Sequence, residues 1–147
     1  KMNSLVDPEI IQLLYLASQA GVKISLIIRG ICCLYPERKN LSENIKVISI
    51  IGPFLEHSRI FWFCNENDHE VFIGSADWMR RNLDRRIEAV TPIEDLALKS
   101  QLYSLLQTYI KDDYFSWIMK QDGSYEKAFN SAVNKSQIDL INKWQEY

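Results

Sequence analysis

The alternation of apolar and polar residues divides the chain into a series of helical and extended segments. Ile10, Leu13, Leu14 and Ala17 recur at helical spacing and define one apolar face. Asp7-Pro8-Glu9 ahead of them is a helix start, with Asp7 as N-cap and proline at the first helical position, and Gly21 closes the element. The pattern predicts a helix over 8–20. Val22 to Ile28 is β-branched and apolar enough for a buried strand, and Lys46 to Ile51 reads as another strand. A helix feeding a buried strand is half of an α/β unit. Arg29 therefore falls at the C-terminal end of a strand, where open α/β sheets place ligands.

Arg59 to Cys64 and Glu70 to Ser75 read as a hairpin whose turn is Asn65-Glu66-Asn67-Asp68. Arg85 to Val90 is expected to be the last strand. Thr91-Pro92-Ile93-Glu94 has the spacing of a capping box, which predicts a helix running to about Ile110. From about 113 to 147 the chain is expected to be a helical extension, with Ile138, Ile141 and Trp144 at one-face spacing. Asp122-Gly123 reads as a turn. The fold class is α/β, a sheet flanked by helices with a C-terminal helical segment, and no internal repeat is visible.

Composition narrows the picture. A chain of 147 residues, 47% of them hydrophobic, can bury about two thirds of its unfolded surface around one core. No apolar run approaches the roughly 20 residues that cross a bilayer, and no basic-then-apolar leader precedes the first element, so a soluble protein is expected. The three cysteines, Cys32, Cys33 and Cys64, suit neither a disulfide framework nor the C-x-x-C spacing of a zinc site. They are expected to be small buried apolar residues in a reducing cytoplasm. Net charge is only -2, so any anion site must come from local arrangement. Such an arrangement exists: Arg80, Arg81, Arg85 and Arg86 stand against one acid, Asp84, while Glu94-Asp95 and Asp112-Asp113 gather acids elsewhere. The chain opens on Lys1 rather than on methionine, and is expected to be a fragment of a longer protein.

The candidate chemistry lies in Phe54-Leu55-Glu56-His57-Ser58-Arg59 and, seventeen residues after the histidine, Gly74-Ser75-Ala76-Asp77-Trp78-Met79. A histidine titrating near neutrality can attack phosphorus or protonate a leaving oxygen, and arginine presents a planar fork of donors that matches phosphate. In an extended segment His57 and Arg59 share a face about 7 Å apart, with Glu56 and Ser58 turned the other way. Each residue also has a plainer reading. Arg29 could pair with an acid at its strand end, and Arg59, Arg81, Arg85 and Arg86 could form a solvated basic face. Ser75 could offer a hydroxyl to a phosphate oxygen, although a Gly-Ser pair alone is a weak signal. His69, in the polar hairpin turn, is expected to be structural.

These blocks, with Ile28-Arg29-Gly30-Ile31-Cys32-Cys33-Leu34 and Leu41-Ser42-Glu43-Asn44-Ile45, resemble the C-terminal part of the bacterial polyphosphate kinases, from Lys1-Met2-Asn3-Ser4-Leu5 through Asp122-Gly123-Ser124-Tyr125. The resemblance implies that residues 1–147 are the second, phospholipase-D-like half of the catalytic region, with a mixed sheet. It implies reversible transfer of the terminal phosphate of ATP to polyphosphate through a phosphohistidine supplied by the preceding half. His57 then corresponds to the second active-site histidine and contacts ATP, Arg29 to a nucleotide contact, and Arg59, Ser75, Arg81, Arg85 and Arg86 to candidate polyphosphate contacts. Mg2+ is implied with the nucleotide, although no compact carboxylate cluster here marks its site. The implied protein is a cytoplasmic homo-oligomer, peripheral at the inner membrane face, with no nucleic-acid partner. The phospholipase pattern H-x-K-x4-D is only partly met, since Arg59 stands at the lysine and Cys64 at the aspartate position, which argues against a phosphodiesterase. A non-catalytic polyanion-binding module is the other alternative. Pro53, Arg80 and Glu37-Arg38-Lys39 depart from the family pattern and bear on substrate preference.

Overall fold

The computed structural model describes residues 1–128 and 133–145. Helix α1 (Pro8–Gln19) forms where the apolar pattern requires it, and the Asp7 carboxylate caps it by accepting the N–H groups of Glu9 and Ile10. Its buried face is rotated from the expected one. Ile11 and Ser18 are buried while Leu13 is 63% exposed, because the helix is fixed against the sheet by Ile10, Ile11, Leu14 and Tyr15.

Strands β1 (Ile24–Ile27) and β2 (Ile45–Ile50) pair in parallel. Strands β3 (Arg59–Phe63) and β4 (Glu70–Gly74) form the expected antiparallel hairpin, closed by a short 3-10 turn at Asn65–Asn67. The residues between β2 and β3 are not a strand. The extended segment begins only at Arg59.

Three expectations need correction. The stretch 85–90 is not a strand: Arg80–Arg85 is a short helix, α2, and only Val90–Pro92 (β5) reaches the ladder of β4. Ile87, inside the expected strand, is fully exposed. Thr91 therefore lies in a strand, and the next helix, α3 (Leu96–Ile110), is capped by Asp95, whose carboxylate accepts the Leu98 N–H. The helical extension over 113–147 is replaced by strands β6 (Ser116–Met119) and β7 (Tyr125–Lys127), then helix α4 (Ser136–Gln145). Residues 129–132, 146 and 147 of that extension lie outside the described residues. The aromatic run Tyr114 to Trp117 favours a strand, and Asp122-Gly123 is the turn of the β6–β7 hairpin. On α4, Ile138 and Trp144 are exposed, whereas Leu140 packs inward.

The hydrogen-bonded sheets run β1-β2-β6-β7 and β3-β4-β5. Period-two alternation sends side chains to two cores. Leu26, Ile28, Ile45, Val47 and Phe61 face α1, while Ile27, Ile50 and Ile60 face Leu106 and Tyr109 of α3. Both faces are thus covered over Leu26, Ile27, Val47 and Ile50, whereas Ser25 and Lys46 at the strand starts stay exposed. The mixed, helix-flanked α/β architecture is the one expected. The cysteines are not buried as expected. Cys32 is half-buried, Cys33 and Cys64 are exposed, and all three are free thiols. Among the described residues no helix is long and apolar enough to cross a membrane.

Residues Lys1 to Leu5 lie between the two sheets. On one side Met2 pairs with Ile28 and Leu5 with Cys32 in parallel bridges; on the other, Lys1 and Ile60 exchange both backbone hydrogen bonds, at 2.7 and 2.9 Å. At the far side of the fold the buried Asp112 accepts the N–H groups of Tyr114, Phe115 and Ser116 on Oδ1 and that of Ser136 on Oδ2, tying the start of β6 to the start of α4. Asp112→Ala would leave those buried donors without partners, and it is expected to lower stability by about 3 kcal/mol. Asp112→Asn, which keeps one accepting oxygen, should lose less. Urea titration followed by tryptophan fluorescence separates the two, and equal small losses would rule out the tie.

Candidate active site

Because β1 and β2 are parallel neighbours, the loops after both leave the same edge of the sheet. Arg29 stands two residues past β1 and His57 on the loop past β2, and the Ser49 hydroxyl at the end of β2 donates to the Arg29 carbonyl at 3.0 Å. This is the carboxyl edge, where crevices in open α/β sheets form. The His57 side chain is exposed and Arg29 is half-buried.

A hydrogen-bonded chain connects the two loops. Arg29 Nε donates to Asn3 Oδ1 at 2.9 Å, and the Asn3 N–H donates to Asp77 Oδ1 at 2.7 Å. The Arg59 fork grips the same carboxylate through Nε at 3.2 Å and Nη2 at 3.1 Å, while its Nη1 donates to the His57 carbonyl at 3.0 Å. Burial pushes the Asp77 carboxyl up, but the Arg59 guanidinium and the Asn3 and Ser4 backbone outweigh it and hold it below the usual aspartate value. Arg59 is thus committed to a carboxylate and to the backbone that carries His57.

Of the alternation expected across 56–59, the shared side of Glu56 and Ser58 is present without a strand. Glu56 and Ser58 both turn to Lys1, whose ammonium lies 3.0 Å from Glu56 Oε2 and donates to Ser58 Oγ at 2.8 Å. Burial lowers the Lys1 pKa; Glu56 opposes this, and the charges of Arg29 and Arg59 add to it.

The Gly-Ser block closes the other side. Gly74 allows close approach, since a Cβ there would lie 2.8 Å from the Ala89 carbonyl. The Ser75 hydroxyl donates to Glu88 and accepts the Ala89 N–H at 3.0 Å. Glu88 also takes Asn82 Nδ2 and lies 3.3 Å from Arg86 Nε. Hydrogen bonds from Ser75 and Asn82, with Arg86 and Arg59 nearby, keep its carboxyl below the usual value. A groove of about 440 Å³, lined by Ser58, Arg59, Gly74, Ser75, Leu102 and Leu105 among others, runs beside this cluster.

The fold therefore links His57, Arg29 and Arg59 through one network and brings Ser75 and Arg86 together at Glu88. It does not tie in Arg81 and Arg85, which are exposed and make no ion pair among the described residues. His69 lies apart in the hairpin turn, its ring tilted 47° against that of Trp62 with centroids 5.0 Å apart. Sequence reasoning did not assign roles to Asn3, Asp77 or Glu88. Asp77 lies inside the quoted Gly-Ser block, and its position could have marked it as Arg59's partner in place of the aspartate absent at Cys64. Among the described residues no group of three or more His, Cys, Asp or Glu could hold a metal, and Asp77 and Glu88 are taken up by arginines. These side chains do not fit a protein-built magnesium cage.

Fold and site together define an α/β domain that gathers its polar, cationic groups at the carboxyl edge of a parallel strand pair. Residues 1–138 match the family model described as polyphosphate kinase C-terminal domain 2, and the chain belongs to that family. It is 61% identical over 149 aligned residues to a polyphosphate kinase of Prochlorococcus marinus, covering 99% of this chain and 21% of that protein. It is 50% identical over 146 residues to one of Pseudomonas aeruginosa, covering 97% of this chain and 21% of that protein. The crystal structure of the polyphosphate kinase from Porphyromonas gingivalis superposes with a TM-score of 0.93 at 39% identity, covering 99% of this chain and 22% of that one. The chain thus spans about a fifth of the length of these relatives.

The Asp77–Arg59 pair has a pH signature. Folding holds the carboxyl below its unfolded value of about 3.9, so the pair's contribution is whole above that value and is lost as pH falls through the lower folded-state pKa. Thermal melts between about pH 3 and pH 7 should show an acid loss of stability that is smaller in Asp77→Asn, itself less stable at pH 7. An acid limb of the same depth in that variant would show that the pair does not contribute.

Proposed function

We propose that the protein containing this domain is a polyphosphate kinase that moves the terminal phosphoryl group of ATP to inorganic polyphosphate, reversibly. In this reading the domain supplies the second of two active-site histidines and the arginine that meets the nucleotide. The observation that supports it best is the shared edge: Arg29 and His57 leave neighbouring parallel strands on the same side, and Asn3, Asp77 and Arg59 join their loops. The polyphosphate kinase names of relatives aligned over nearly the whole chain support the reaction class.

The transfer proceeds in two displacements. A histidine nitrogen of the preceding half attacks the terminal phosphorus, the bond from that phosphorus to the bridging oxygen breaks, and ADP leaves. A terminal oxygen of polyphosphate then attacks the phosphohistidine, the nitrogen–phosphorus bond breaks, and the chain is longer by one unit. Each displacement brings anions together, so positive groups placed in advance lower the barrier without reorganisation. Arg29 suits this work, because Asn3 fixes its Nε and, among the described residues, no hydrogen bond occupies its two terminal nitrogens. His57 protonates or stabilises the leaving oxygen, a role worth roughly 10²- to 10⁴-fold. Arg59, its charge shared with Asp77, contributes by fixing the His57 backbone. Arg81 and Arg85, with Arg86 and Ser75 beside Glu88, are the groups proposed to meet the polyphosphate chain. Magnesium would arrive with the nucleotide, and no step here depends on a cage for it in this domain. The same reading makes the protein a cytoplasmic homo-oligomer, peripheral at the inner membrane face.

In the full-length protein His57→Ala is expected to abolish polyphosphate synthesis from ATP while leaving the thermal transition in place. Near-normal synthesis by the folded variant would falsify the histidine's role. Arg29→Ala is expected to weaken nucleotide binding about tenfold or more and polyphosphate binding much less, read by calorimetric titration of each ligand. Equal losses for both would remove Arg29 from the nucleotide site.

A further inference from the structure

The loop that carries His57 has little of its own to hold it. Residues 51–58 form no helix or strand, and Phe54 and Leu55 point outward, 53% and 70% exposed, so no apolar packing anchors the backbone just ahead of the histidine. Arg59 and Lys1 hold the loop at His57 and Ser58; ahead of the histidine, at Phe54, a buried side chain from α4 does so. Gln137, 3% exposed, accepts the Phe54 N–H on Oε1 at 3.1 Å and donates Nε2 to the Phe54 carbonyl at 2.8 Å. The carboxamide thus matches both polar groups of one residue's backbone, as a neighbouring strand would. The same Nε2 donates to Glu56 Oε1 at 2.8 Å, and the buried Glu56 is directly bonded in sequence to His57.

A second observation points the same way. Gly52, at the start of the loop, lies so close under this amide that a Cβ there would sit 2.3 Å from Gln137 Oε1 and 3.0 Å from Gln137 Cδ. The backbone is therefore fitted to the amide at both residue 52 and residue 54. Glu56 is fixed on its remaining side by Lys1 at 3.0 Å. By contrast, Arg29 belongs to the other loop and is held through Asn3, with no bond to Gln137.

We propose that Gln137 is a positioning residue for His57: by clasping Phe54 and Glu56 it sets where the imidazole stands in the transition state, without touching substrate. This rests on the functional reading above. A small displacement of a reacting group can cost about 10²-fold in rate, whereas the ground-state hold on nucleotide by Arg29 is left alone. The expected signature is a loss in kcat rather than in KM.

The test uses the full-length protein and steady-state polyphosphate synthesis. Gln137→Leu keeps the bulk and removes the amide, and it is expected to lower kcat about 10- to 100-fold with KM for ATP within about twofold. Gly52→Ala, which pushes the amide off the loop without removing it, should give the same split, and it carries the test if the leucine variant fails to fold. A kcat within about twofold of the parent in a folded variant, or a raised KM with kcat unchanged, overturns the proposal. So does a loss of rate matched by an equal loss of folded protein in thermal melts. His57→Ala run in parallel separates the two ideas: an active His57→Ala protein defeats the functional reading, whereas an inactive one beside a normal Gln137→Leu protein defeats only the positioning role.

Discussion

The structure depends on the strip of backbone from Lys1 to Leu5. It lies between β1 and β3, bonding to Ile27 through Cys33 along one side and to Ile60 on the other. Without it, one four-stranded and one three-stranded sheet would face each other with unpaired backbone donors and acceptors, at a cost for every buried group. With it, the two become a continuous surface on which α1 can cover one face and α3 the other. The strip also places Asn3 between Arg29 and Asp77. The polar network at the sheet edge is thus built on the same backbone that unites the fold.

The electrostatics of that edge follow from pairing. A chain of net charge -2 cannot attract a polyanion in bulk, and the buried cations Lys1 and Arg59 are already matched, with Glu56 and Asp77, while the exposed Arg86 meets Glu88. Removing one partner of a buried pair leaves an uncompensated charge and is costly, so these pairs fix geometry more than they supply free positive charge. The guanidinium groups of Arg29, Arg80, Arg81 and Arg85 are among those that no carboxylate neutralises among the described residues, and they are left to act on an anion.

Elements whose local signals agreed were legible in the sequence. Asp7-Pro8 gave the start of α1, the apolar runs gave β1 and β2, and two strand-like runs around Asn65–Asp68 gave the hairpin. Misreadings occurred where local pattern competed with long-range pairing. Residues 85–90 alternate like a strand, but no neighbouring strand lies beside them until Val90, so the arginine-rich part winds into α2. The segment from Tyr114 carries apolar residues at spacings that suit either structure, and only its pairing with β2 makes it a strand. Within the site, residue types and loop positions were readable for His57 and Arg29. Asn3 and Gln137 were not, because they lie 26 and 81 or more residues from the groups they hold and single-chain patterns carry no record of such encounters. Asp77 and Glu88, nearer in sequence, show their partners only once the Gly-Ser loop is folded.

The outermost strands carry a further consequence. The continuous sheet ends on β5 at one side and β7 at the other, each three residues long and exposed throughout. A bare strand edge invites a second molecule to add its own strand and so begin an aggregate, and short length, proline and charge are the ordinary deterrents. Pro92 sits on β5, where it withholds a donor, and Glu126 and Lys127 make up most of β7. The margins of the sheet are thereby made poor templates for growth.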